Sequence, residues 1–278
     1  MNTPRIAFVD IDGTILDSNG QVAPSTVDAV QLARANGHLV YLCTGRASVE
    51  IYPSILDIGF DGAISAGGGF AEIGTELVIS RSMPEAAVAR MVDFFEASGY
   101  DFYLQSYDAM YPSPGVQGRF AAYLEKFRAQ QPELALAGAP ATGDHYAHSE
   151  AYNFEGIAKS VFLASDLDAF DRVHEALNDE FHVITGTIPH MGRGSGEVTL
   201  KGVNKGTTIE QLLELLQLDA SSAIGIGDSS NDIEMLQLCG VGVAMGNAID
   251  EIKAHADQIT TSVTDDGVWN AFRRNHLI

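Results

Sequence analysis

Apolar residues fall along this chain in two rhythms. Short β-branched runs that are apolar on both faces, at 6–9, 39–43 and 62–65, alternate with amphipathic stretches at 25–36 and 47–58. The runs are predicted strands and the stretches predicted helices, the first helix being stopped by Gly37. Strands apolar on both faces suit a parallel sheet covered by helices, so this part reads as successive βαβ units. The rhythm changes near Met83-Pro84. Beyond it the pattern predicts a helix at 85–98, a strand at 102–105, a helix at 120–130 and a looser stretch rich in Ala, Gly and Pro. A strand at 159–164, a helix at 167–179 and a strand at 181–185 follow, and then a glycine-containing link at 192–196. From Lys205 the first rhythm resumes. The spacing of Ile209, Leu212, Leu213 and Leu216 gives a helix over 207–216, followed by a strand at 223–226, a helix at 233–238 and a strand at 241–244. The expected architecture is α/β. A Rossmann-like, doubly wound parallel sheet is built from 1–83 and 190–278, and 84–189 is inserted as a second α/β domain.

Three predicted strands run into a polar group: Val9 into Asp10, Cys43 into Thr44, and Ile226-Gly227 into Asp228. In an open parallel sheet the C-terminal strand ends line the ligand crevice, so these groups are expected to be neighbours. In Asp10-Ile11-Asp12-Gly13-Thr14, period-two geometry directs both carboxylates to one side before Gly13 lets the chain turn. One such carboxylate can attack phosphorus. The other can stay protonated beside a like charge and serve as the acid. A lone Asp-Gly pair is commonly just a turn, and it is the pentapeptide directly after a buried strand that carries the signal.

Asp10-Ile11-Asp12-Gly13-Thr14 resembles the first signature of the haloacid dehalogenase superfamily of phosphatases, and the resemblance extends over nearly the whole chain. Thr44-Gly45-Arg46 looks like the second signature, which implies that Thr44, Gly45 and Arg46 hold the transferring phosphoryl group. Lys205 in Gly202-Val203-Asn204-Lys205-Gly206 matches the third, a lysine at a helix start that neutralises nucleophile and phosphate; Lys201 is a nearby competitor without the following glycine and helix. Gly227-Asp228-Ser229-Ser230-Asn231-Asp232 matches the fourth, whose acids hold magnesium, although one of them can equally cap the next helix. Asn231 is expected on the phosphate. The insertion between the second and third signatures is similar to that of the Cof-type subgroup, whose cap is a separate α/β domain and whose members mostly hydrolyse sugar phosphates and similar small esters. The chain departs from an Asn-Gly-Ala run common in the family, having Ala66-Gly67-Gly68-Gly69-Phe70 instead.

The implied chemistry is a magnesium-dependent phosphatase acting on a small phosphorylated metabolite through an aspartyl-phosphate. Asp10 is the nucleophile, Asp12 the acid and then the base, and Thr44 and Lys205 stabilise the phosphoryl oxygens. Asp10, the backbone carbonyl of Asp12 and Asp228 would hold Mg2+, with Asp232 a ligand or a partner of one. The inserted domain is expected to close over the crevice and select the alcohol, with His145, His148, His190 and Arg193 as loop residues that are more often plain surface. The alternatives are a phosphomutase with the same aspartates and a non-catalytic phosphometabolite-binding protein. A Rossmann dehydrogenase fits badly, because Ser230 stands where the third glycine after Gly225 and Gly227 belongs.

Composition narrows the partners. With 37 acidic against 16 basic side chains in 278 residues, the formal charge of −21 repels nucleic acid and anionic lipid. The apolar stretch before Asp10 is too short for a signal-peptide core or a spanning helix, so a cytoplasmic monomer or homodimer is expected. Cys43 and Cys239, both in apolar surroundings, read as buried free thiols.

Overall fold

A computed structural model describes residues 4–119, 154–186 and 194–278. The chain divides into two compact units, one of residues 1–46, 51–81 and 202–278, the other of residues 47–50 and 82–201.

The first unit is built on an eight-stranded sheet. Its strands are β1 (Ile6–Val9), β2 (Leu39–Cys43), β3 (Gly62–Ser65), β4 (Phe70–Ile73), β5 (Glu76–Ser80), β11 (Ala223–Gly227), β12 (Val241–Ala244) and β13 (Gln258–Ile259), in the order β13-β12-β11-β1-β2-β3-β4-β5. Pairing is parallel from β13 to β3, and β4 and β5 add an antiparallel edge. Alternation along each strand sends one set of side chains to each face. Ala7, Val9, Val40, Leu42, Ile224 and Ile226 pack on α1 (Pro24–Ala35) and α7 (Gly267–Arg274), through Ala29, Val30, Ala33, Val268 and Phe272. Ile6, Phe8, Tyr41, Cys43 and Ile64 meet α5 (Lys205–Leu216) and α6 (Ile233–Leu238) on the other face, through Ile209, Leu212, Leu213 and Met235. Both faces are covered, as the two-sided apolar runs require. The doubly wound α/β core is therefore the observed fold, and Cys43 and Cys239 are buried thiols within it.

The second unit holds an antiparallel sheet of β6 (Asp101–Gln105), β7 (Met110–Pro112), β8 (Lys159–Leu163), β9 (Phe181–Thr185) and β10 (Gly196–Leu200), ordered β7-β6-β8-β10-β9. Phe102, Leu104, Phe162, Val183 and Val198 pack against Val88, Met91 and Phe95 of α3 (Glu85–Ser98) and Val173 and Leu177 of α4 (Ala169–Leu177). Phe95 sits between Phe102 and Phe162, with ring centroids 5.5 and 5.6 Å away.

Three expectations need correction. The return to the first unit falls at Gly202, not at residue 190, because 196–200 is a strand paired with both β8 and β9. Gly196, the last residue of the link read there, is thus the first residue of a strand in the second sheet. The helix expected over 47–58 is broken. A 3-10 turn at Ser48–Glu50 belongs to the second unit, and Pro53 starts the separate one-turn helix α2 (Pro53–Leu56), since proline favours a first helical position and cannot sit inside a helix. The hairpin β4–β5 after the glycine run was not anticipated. The helix expected at 120–130, and His145, His148, His190 and Arg193, lie outside the described residues.

Candidate active site

Asp10 continues β1, its N–H donating to the Ile226 carbonyl of β11 at 3.0 Å, and its carboxylate is buried. The chain then turns. The Ile11 carbonyl accepts from the N–H groups of Ile15 and Leu16, and Gly13 takes φ +86°, which only glycine adopts without strain. A Cβ on Gly13 would also come within 2.2 Å of the Asp228 carboxylate. The missing side chain therefore lets Asp228, at the end of β11, lie directly on the turn. Thr14 Oγ1 donates to Asp228 Oδ1 at 3.2 Å, and Asn247 Nδ2 ties the Gly13 carbonyl (2.9 Å) to Asp228 Oδ2 (3.4 Å).

Lys205 opens α5, whose N-terminus is closed by a capping box between Asn204 and Thr207. A cation at a helix N-terminus opposes the helix dipole, and this one is wholly buried, so it needs strong partners. It has them. Its Nζ donates to Asp10 Oδ1 at 2.7 Å, Asp232 Oδ1 at 2.5 Å and Asn231 Oδ1 at 3.3 Å, which uses all three ammonium protons. Lys201, by contrast, is exposed.

Asp232 is an anchor within this group. Its Oδ2 accepts from the N–H groups of Asp228 and Ser229, each at 3.0 Å, so that it fixes the loop bearing Asp228 while its Oδ1 holds Lys205. A Cβ on Gly227 would lie 2.3 Å from the Asp232 carboxyl carbon, which explains the glycine that ends β11. Asp232 is the N3 member of a capping box whose N-cap is Ser229, and at the start of α6 it makes no side-chain capping bond, so the cap expected from an acid of the motif on that helix is not formed.

Asp10, Asp228 and Asp232 each offer an oxygen within 4.8 Å of the others. Burial, and then the charge of Asp232, push the Asp228 carboxyl up to about 7. Burial also raises Asp10 well above the usual carboxylate range, against the pull of Lys205, while Asp232, Asp228 and Asp12 add to the rise. Lys205 is itself raised: burial works against its charge, but Asp10 and Asp232 outweigh it. Negative charge is in excess here, as in a site built for a further cation.

A pH dependence follows from Asp228. A carboxyl whose folded pKa exceeds its unfolded one binds more protons in the folded state between the two values, so stability falls as pH rises through that window. Metal-free protein is expected to lose several degrees of melting temperature between about pH 5 and pH 8, and added Mg2+ to restore more of it at the higher pH. Calorimetry in chelator, with and without Mg2+, checks this; a melting temperature that rises over that range speaks against the excess of buried charge.

Thr44 extends β2, donating its N–H to the Ile64 carbonyl at 2.8 Å, and is buried beside the end of β1. Its Oγ1 accepts from the Arg46 N–H at 3.1 Å, and its carbonyl takes the Gly67 N–H at 3.0 Å. The Gly67 main chain therefore buttresses the Thr44 loop. Arg46 and Asp12 form a separate pair: the guanidinium donates through Nε to Asp12 Oδ2 (2.8 Å) and through Nη2 to Oδ1 (2.6 Å). The Asp12 carboxylate accordingly stands outside the trio of Asp10, Asp228 and Asp232. Sequence reasoning passed over Thr14, Asn247 and Tyr52, which lies under the Arg46 guanidinium. Asn247 carried a usable signal, since it lies in the loop directly after the predicted strand β12, three residues past Ala244.

The chain is 26% identical over 280 residues to the Bacillus subtilis protein YkrA, covering 99% of this chain and 98% of that one. It is 25% identical over 282 residues to the Escherichia coli pyridoxal phosphate phosphatase YbhA, covering 99% and 100%. The solved structure of BT4131, a sugar phosphatase of subclass IIB of the superfamily, superposes with a TM-score of 0.78 at 23% identity, covering 99% of this chain and 100% of that one, and so shares the fold. A sequence model of the haloacid dehalogenase-like hydrolases matches residues 7–272, and the chain belongs to that family as an enzyme of its phosphatase kind.

Proposed function

We propose that the protein hydrolyses a small phosphate monoester, with a sugar phosphate the foremost candidate, using Mg2+ and a phosphorylated Asp10. One observation carries the reading: the Asp10 carboxylate sits at a strand end, locked by a buried lysine at 2.7 Å, within one cluster with Asp228. An exposed turn carboxylate would have neither feature.

The donors fit magnesium. All are hard oxygens, and one buried ammonium among three clustered acids leaves charge for a divalent ion to balance. Asp10, Asp228 and the Asp12 carbonyl would hold it, with Asp232 beside them in the cluster, its two oxygens already accepting from Lys205 and from two main-chain N–H groups. When bound, Mg2+ supplies positive charge against the repulsion between an anionic ester and an anionic nucleophile.

The chain's own residues do the rest. Lys205 fixes one Asp10 oxygen, leaving the other to attack phosphorus in line, while Thr44 Oγ1, which accepts from the Arg46 N–H, keeps its hydroxyl proton to donate to a phosphoryl oxygen. Asp12 gives a proton to the departing alcohol and takes one from the water that hydrolyses the aspartyl-phosphate. The E. coli relative's name points to a phosphorylated cofactor and the structural neighbour's to a sugar phosphate, so the substrate class is a small phosphorylated alcohol.

Hydrolysis of an aryl phosphate is expected to fall to background after chelation and to return with Mg2+. A chelated, dialysed enzyme that keeps full activity would remove the metal from this reading. Release of inorganic phosphate from single sugar phosphates, ranked by kcat/KM, then identifies the substrate.

A further inference from the structure

Asn247 is an exposed residue in the loop after β12, yet each polar atom of its side chain has a partner. Nδ2 donates to the Gly13 carbonyl at 2.9 Å and, across a longer 3.4 Å, to Asp228 Oδ2, while Oδ1 accepts from the Val263 N–H at 2.9 Å. The two ends of the amide cannot be exchanged, because the Val263 N–H only donates and the Gly13 carbonyl only accepts. These bonds join three stretches of the first unit: the turn after β1, the end of β11 and the segment leading to α7.

The loop that carries the amide is itself seated. The Met245 N–H donates to the Gly227 carbonyl at 2.9 Å and the Gly246 N–H to the Thr261 carbonyl at 3.0 Å, and a Cβ on Gly246 would come within 2.7 Å of the Ser262 nitrogen. Asn247 therefore reaches toward the cluster from a fixed base. Asp10 has its strand and the buried Lys205 to hold it. Asp228 is placed differently. Its Oδ1 takes the hydroxyl of Thr14, which belongs to the same turn as Gly13, and among the described residues its side chain is held from outside that turn by Asn247.

We propose that Asn247 is a positioning residue for the divalent metal, setting Asp228 and the Asp12-Gly13 turn at one spacing and so favouring Mg2+ over the larger Ca2+. A group that bonds a metal ligand from outside fixes where the ligand oxygen points. Mg2+ tolerates little departure from its preferred arrangement, whereas Ca2+ accepts irregular ones, so loosening the ligands penalises Mg2+ more. The inference rests on the magnesium reading above and adds to it a source of selectivity, an amide from the end of another strand.

Titration calorimetry of the chelated, dialysed full chain with Mg2+ and, separately, with Ca2+ tests this without turnover. Asn247→Ala is expected to weaken Mg2+ binding about 10- to 100-fold, the range that partners of metal ligands supply, and Ca2+ binding by about threefold or less. The melting temperature of the metal-free variant should stay within a few degrees, since the bonds lost are exposed. Asn247→Asp keeps an acceptor for the Val263 N–H and removes only the donor. Its added charge acts on both ions, so the ratio of Mg2+ to Ca2+ affinity should still fall about tenfold, and this variant decides the matter if Asn247→Ala releases the loop. With 4-nitrophenyl phosphate, the Mg2+ concentration that gives half the maximal rate should rise with the Kd.

An unchanged Mg2+ affinity would overturn the proposal. Equal losses for Mg2+ and Ca2+ would overturn it too, because a generally loosened loop affects both ions alike. A lowered kcat with an unaltered Mg2+ requirement would place Asn247 on the substrate and likewise overturn it. Those three results leave the magnesium reading standing. An unmutated chain that takes up no Mg2+ would end that reading and the inference together, and it is seen before any variant is made.

Discussion

Asp10→Asn is expected to lower turnover on the order of 10⁴-fold or more, with the fold retained. The amide oxygen can still accept from Lys205, and Lys205 keeps its bond to Asp232, so no buried cation is stranded. What disappears is the attacking lone pair of an anion, together with one of three clustered negative charges. Because burial holds Asp10 well above the usual carboxylate range, the neutral side chain imposes no desolvation cost, and the melting temperature should stay within a few degrees. Steady-state rates at saturating Mg2+ beside circular dichroism melts test both halves of this expectation. Near-normal activity in the variant would refute the nucleophile assignment.

Lys205→Met should cost stability as well as activity. Lys205 and Asp232 are wholly buried and Asp10 is 4% exposed, so the substitution leaves two carboxylates without the cation that touches them both. Removing one partner from a buried ionic group typically costs about 3–5 kcal/mol, chiefly the desolvation of the charge left behind. For a chain of this size that corresponds to a melting temperature lower by about 10 °C or more. The loss should be steeper at neutral than at acid pH, where the stranded carboxyls can take up protons. Asp232→Asn added to Lys205→Met should recover part of it, since the two residues share one bond at 2.5 Å and their effects cannot be additive. Urea unfolding of the single and double variants measures this coupling; a single variant as stable as the parent would show that the buried ammonium is not what the acids require.

The elements easiest to read from the sequence are those buried on both faces. Ile6–Val9, Leu39–Cys43, Gly62–Ser65 and Val241–Ala244 are strands with the bounds that periodicity predicts. Reading failed where a segment takes its structure from distant partners. Gly196–Leu200 is not read as a strand, because its first glycine closes the link expected at 192–196 and Glu197 and Thr199 interrupt its apolar pattern. In the folded chain Glu197 is buried against Lys159, 2.5 Å away, and the strand lies between β8 and β9. A buried acid is tolerable only beside its cation, and that pairing is invisible to any local window. Residues 47–58 failed for the opposite reason: a helical apolar spacing is present, but Pro53 and the assignment of 47–50 to the second unit divide it.

For the site itself, the sequence was enough to establish which residue types are available and that they stand at strand ends: Asp10, Thr44 and Asp228, with Lys205 at a helix start. That much is local, because strand periodicity and glycine placement are properties of a few consecutive residues. The assignment of partners was decided only by tertiary structure. It put Lys205 between Asp10 and Asp232, turned Asp232 toward two main-chain N–H groups, brought Asn247 across to Gly13 and Asp228, and gave Asp12 to Arg46 rather than to the buried acids. The physical reason is that charge is balanced through space. A carboxylate becomes nucleophile, anchor or base according to the donors within about 3 Å of it, and those donors come from segments that only the folded sheet brings together.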